Sequence, residues 1–150
     1  MERAVAAKKS KREYDQIWVV FDVDEHPKLA EAHQQARSNH LNVAQSNPCF
    51  ELWALLHFQD QTAELTRHHA QRLCRQHMPG YEKLLPYAQL SGRVEAACAR
   101  AEQLREQHTR NGTARGNPST DVDFLVRVML GAPSSHKNAT SIHAIHHPQN

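Results

Sequence analysis

The chain has little of what marks the specialised protein classes. Its three cysteines, Cys49, Cys74 and Cys98, are odd in number and widely spaced, and no Cys-x-x-Cys pair exists. A disulfide scaffold and a cysteine-built zinc site are both excluded, and buried free thiols in a reducing cytoplasm are the expectation. No apolar run approaches the roughly 20 residues that a membrane span needs. No charged n-region followed by an apolar h-region opens the sequence, so neither membrane nor secretion is expected. No internal repeat is visible. Charge of one sign is also missing: 18 Lys and Arg face 16 Asp and Glu, a net +2, too little to argue for nucleic acid by charge alone. The basic residues Arg3, Lys8, Lys9, Lys11 and Arg12 at the N-terminus are diluted by Glu2, Glu13 and Asp15. Such a run is a solvated helix face or an arm that touches phosphate. What remains is a polar chain of 150 residues, 39% hydrophobic and 23% charged, long enough for one domain with a core.

The most informative stretch is Ile17–Pro27, in which five apolar residues run into Asp22, Asp24, Glu25 and His26. A continuous β-branched and aromatic run reads as a strand buried on both faces, as in a parallel sheet. Side chains alternate along a strand, so Asp22 and Asp24 point the same way, at the carboxyl end where open α/β sheets place their ligands. Two adjacent carboxylates repel unless a cation lies between them, and a hard cation such as Mg2+ is the usual occupant. The alternative is a helix cap, with Pro27 as a first helical residue. The stretch alone leaves both readings open.

Downstream, Leu29, Ala32 and Ala36 recur at helical spacing, and residues 41–45 read as a second strand. Strand, helix, strand is the right-handed βαβ crossover, with the strands parallel. Asn47 and Pro48 then read as the cap and first residue of a helix over residues 49–58, apolar almost all round and therefore buried. Glu51 lies inside it, and a buried carboxylate costs several kcal/mol unless it is paired or bound. It is either a functional group or a partly exposed first-turn Glu. His57 reads as a hydrogen-bonded core histidine. Residues 61–77 form an amphipathic helix with a basic face of Arg67, His68, Arg72, Arg75 and His77. That face is solvated or contacts phosphate; His68, His69 and His77 lack a cysteine or acid to complete a metal set. A further helix spans about 92–110. Thr120 and Asp123 resemble a capping box for a last helix ending at Gly131, and residues 132–150 read as a disordered polar tail.

Taken together, these landmarks resemble one family. Trp18–His26 resembles the central strand motif of the RloB family, small bacterial proteins linked to abortive infection and restriction-type phage defence. Ser46–Trp53 with Leu55–Phe58 looks like its most distinctive signature, and Gly80–Lys83 and Asn117–Thr120 match later landmarks in the same order. The resemblance covers residues 14–130, within a domain drawn at 1–131. It implies an α/β fold with a Toprim-like parallel sheet core, of which two strands are evident here, packed with several helices. It also implies an Mg2+ site at Asp22 and Asp24, nuclease activity on DNA or RNA, and an ATPase partner.

The sequence departs from the family at its start, where a strand ending in a Cys-Glu-Gly-Glu-like turn is expected and residues 1–16 are polar and helix-like. The chain reads as a truncated member without the catalytic Glu, for which Glu51 or Glu25 are the candidate replacements. Two functions follow: a Toprim-type nuclease, or a non-catalytic module that binds a partner ATPase or a second copy of itself through an exposed sheet edge. A third is nucleic-acid binding by helix 61–77 without chemistry.

Overall fold

A computed structural model of the protein describes residues 1–9, 14–24, 27–82 and 84–131. The expectations for Glu25 and for the tail at 132–150 lie outside these residues. The fold is α/β. Strand β1 (Trp18–Asp22) runs parallel to β2 (Asn42–Asn47), and helix α2 (Leu29–Ser38) crosses between them; helix α1 (Glu2–Lys9) precedes β1. A third strand, β3 (Ser119–Thr120), joins β2 antiparallel, so the sheet is mixed with order β1-β2-β3. Two residues are too few to show a period, which is why β3 is invisible in the sequence. It is held by pairing of Ser46 with Thr120 and Asn47 with Ser119, and by a 2.8 Å bond between the buried Ser46 and Thr120 hydroxyls.

Two local readings change. The apolar run of β1 suggests a strand covered on both faces, yet β1 is an edge strand and Val20 is 45% exposed. Asn47 and Pro48 suggest a helix start, yet β2 continues through Asn47, whose side-chain amide donates to the Arg115 carbonyl at 3.0 Å. Strand pairing with β3 outweighs the local capping preference.

Helix α3 (Glu51–Leu56) is buried at every residue. It packs between α4 (Arg67–His77) and α6 (Val94–Arg110). Its neighbours present small side chains: Ala70 and Cys74 on α4, and Ala97, Cys98 and Ala101 on α6. Small residues at helical spacing let the helices approach closely while Leu52, Leu55 and Leu56 fill the interior. The three cysteines are free and buried, as expected. His57 is the core histidine that its surroundings suggest. Nδ1 donates to the Trp53 carbonyl at 2.9 Å, and burial holds the ring below its ordinary pKa of 6.5.

The short helix α5 (Tyr87–Leu90) precedes α6, and α7 (Val122–Met129) follows β3. The capping box expected of Thr120 and Asp123 does not form in that shape. Thr120 Oγ1 receives the Val122 N–H at 3.3 Å, while Asp123 turns inward to an ion pair with Arg105. Among the described residues no helix is long and apolar enough to cross a membrane.

Candidate functional site

The register of β1 against β2 places Asp22 opposite Ser46. The chain stays attached to β2 beyond the strand: the Val23 N–H donates to the Ser46 carbonyl at 2.9 Å, and the Asp24 N–H to the Pro48 carbonyl at 3.2 Å. Those two bonds keep the backbone extended, so the side chains of Asp22 and Asp24 project to the same side, as strand alternation predicts. Their carboxylates converge on one cation, the guanidinium of Arg67. Arg67 Nη2 lies 3.0 Å from Asp22 Oδ2 and 2.6 Å from Asp24 Oδ1, and Nε lies 2.8 Å from Asp24 Oδ2. The contact to Asp24 is the two-pronged geometry in which guanidinium and carboxylate bind most strongly.

Arg67 is the first residue of α4 and is held from both sides. Thr66 caps the helix, its Oγ1 accepting the His69 N–H at 3.2 Å. One residue earlier, the Asn117 amide grips the backbone of Leu65: Oδ1 accepts its N–H at 2.9 Å and Nδ2 donates to its carbonyl at 2.8 Å. Two separate stretches that carry the family resemblance therefore meet here, one supplying the acids' neighbours and the other fixing the turn before Arg67.

Glu51 is 5% exposed and accepts a hydrogen bond from Gln71 Nε2 at 3.2 Å. Its charge reaches the acid pair. The carboxyl of Asp22 titrates above its usual 3.8, mainly through burial, with Glu51 adding to the rise; Arg67 and the Phe50 backbone N–H pull it down without cancelling it. Tyr81, from the Gly80–Tyr81–Glu82 landmark, is also buried there, and burial followed by the charge of Glu51 pushes its hydroxyl up to about 12. Burial pushes the Cys74 thiol up to about 12 and raises Cys49 as well, so both are unreactive.

Asp22 and Asp24 pair with the guanidinium of Arg67, and the charge of Glu51 contributes to the rise at Asp22. Among the described residues no three His, Cys, Asp or Glu side chains form a ready cage. Mg2+ does not require one, because it is held by one or two carboxylates, with water and phosphate oxygens completing its shell. Any cation on Asp22 and Asp24 would have to displace Arg67 from the same oxygens. The histidines of α4 are not convergent: His77 bonds Gln59 Oε1 at 2.7 Å and stacks on Phe58.

On α4, Arg67, Gln71 and Arg75 follow at intervals of four and share one face. Gln71 and Arg75, with Gly80, Tyr81 and Glu82, line a pocket of about 380 Å3 beside Glu51. Sequence reasoning identifies Asp22, Asp24 and Glu51, and the structure brings them to one side of the sheet. It misses Arg67 and Asn117, for which the basic α4 face and the Asn117–Thr120 landmark are the only signals.

The family model described as RloB-like protein matches residues 1–129. No curated protein and no solved structure matches the chain.

Proposed function

Because the chain belongs to the RloB-like protein family, we propose that it is a Mg2+-dependent nuclease of the Toprim type serving phage defence. The observation that carries this reading is the convergence of Asp22 and Asp24 on one cation position at a strand's carboxyl end. The Arg67–Gln71–Arg75 face stands beside it. Asp22 and Asp24 would hold the metal. When bound, it polarises the scissile phosphate and stabilises charge on the leaving oxygen. Arg67, released from the acids, would take a phosphate oxygen pair with its planar fork, and Arg75 would continue the contact along the backbone. Glu51, whose charge contributes to the rise at Asp22, would take a proton from the attacking water.

The second reading, a non-catalytic module, draws on two observations. Arg67 already neutralises much of the acid pair from within the chain, and β1 is an edge strand. In that case the edge pairs with a partner ATPase or a second copy of the chain. Calorimetry with Mn2+ or Mg2+, alongside cleavage assays on single- and double-stranded DNA and RNA, separates the two. The nuclease reading expects metal binding and cleavage that both vanish in Asp22→Asn. Folded wild-type protein that neither binds the metal nor cuts sinks it.

A further inference from the structure

The two faces of the sheet are covered unequally. Helix α3, flanked by α4 and α6, packs on one. On the other, α2 and the loop carrying Ala114 and Arg115 border an open cavity of about 910 Å3 over β2. That is within the size range of whole-ligand sites. One wall is apolar, with Val23, Leu29 and Val43 among its residues, and Arg37 and Arg115 also line it; no acidic side chain does among the described residues.

At its polar end lies Gln45, 3% exposed. Gln45 Oε1 accepts from His33 Nε2 at 2.6 Å, and Arg115 Nη1 lies against the same ring, 3.3 Å from Nδ1 and 3.1 Å from Nε2. Gln45 Nε2 then has no hydrogen-bond partner among the described residues. A buried amide donor without a partner is costly and is retained where a ligand completes it. Arg115 adds a second sign of a built site. It takes a positive φ of 61°, a left-handed conformation rare for a side chain of that size, and Asn47 holds its carbonyl in place. Its side chain is 52% exposed, and its Nη2 makes only a long contact of 3.8 Å to Asp121.

A cationic rim, a buried donor and an apolar wall together select an anionic group joined to a flat, partly polar body. We propose that this cavity binds a nucleoside monophosphate, its phosphate on Arg115 and Arg37 and its base on the apolar wall with an acceptor facing Gln45. Val23 lines this cavity while its neighbours Asp22 and Asp24 face Arg67 on the other side. The ligand thus sits one residue away from the acid pair, yet shares no side chain with it.

The test is calorimetry on the full chain in chelator, so that no metal loads the acid pair. The titrants are inorganic phosphate, each of the four ribonucleoside 5′-monophosphates, and a short oligonucleotide. At least one monophosphate is expected to bind at least tenfold more tightly than inorganic phosphate. Arg115→Ala is expected to weaken it at least tenfold with an unchanged circular dichroism spectrum, and Gln45→Met likewise if that variant folds. Asp22→Asn is expected to bind as wild type does, whatever becomes of its nuclease activity. Absence of binding by every monophosphate, undiminished binding by Arg115→Ala, or loss of binding in Asp22→Asn overturns the assignment. An oligonucleotide that binds through Arg115 while the free nucleotides do not overturns it as well.

Discussion

Asp22 stands where its own charge is disfavoured. Burial raises its pKa above 3.8, with Glu51 contributing in the same direction. A carboxyl whose folded pKa exceeds the unfolded one binds its proton more tightly in the folded state. The stability it contributes is full below 3.8 and is lost as pH rises through the raised value. At neutral pH the ionised Asp22 is therefore a net cost to stability. Asp22→Asn removes the charge and keeps an oxygen for Arg67. It is expected to melt above wild type at neutral pH, with the gap closing as pH falls below 3.8, while Mn2+ binding is lost. Scanning calorimetry across pH checks it; a variant that melts lower at neutral pH and still binds Mn2+ contradicts it. The acid pair is legible in sequence because strand alternation is a local rule. Its cation is not, because Arg67 lies 43 residues beyond Asp24 and nothing local separates it from Arg72 and Arg75 on the same helix.

Among the elements, the decisive junction is the start of α4, where the Asn117 amide makes both hydrogen bonds of the Leu65 backbone. Leu65 is 2% exposed, so water cannot replace those bonds. Asn117→Ala leaves a buried N–H and carbonyl unpaired, at about 1–3 kcal/mol each as an upper range. We expect a loss of about 2 kcal/mol in urea unfolding, with Asn117→Asp recovering part of it through the one bond it still accepts. An unchanged midpoint in Asn117→Ala would show that the junction is held by other contacts. Helices α2, α4 and α6 were readable because their stripes repeat over at least ten residues each. The start of α3 and the whole of β3 were not. At Asn47 and Pro48 the local residues favour a cap, while pairing to a strand some 70 residues away decides the outcome, and no window of sequence contains both partners.

Across the whole molecule, a buried ion pair links the C-terminal elements to α6. Arg105 on α6 makes two 2.7 Å bonds to the Asp123 carboxylate and a third to the Thr120 carbonyl, with its guanidinium 4.0 Å above the Phe124 ring. Asp123 is 1% exposed. This pair ties α7 and β3 to α6, and β3 in turn holds the end of β2 beside the acids. Breaking such a pair by removing one partner strands the other charge and costs about 3–5 kcal/mol, whereas replacing both by apolar groups of similar size is close to neutral. Asp123→Ala is accordingly expected to lower unfolding free energy by about 3 kcal/mol or more at an unchanged denaturant slope. Arg105→Met combined with Asp123→Leu is expected to regain most of that loss. Below its melting temperature, folded Asp123→Ala should bind Mn2+ with wild-type affinity. That is the opposite pairing of effects from Asp22→Asn, which gains stability and loses the metal. If Asp123→Ala lost Mn2+ binding while still folded, the buried pair would belong to the site's chemistry and not only to its scaffold.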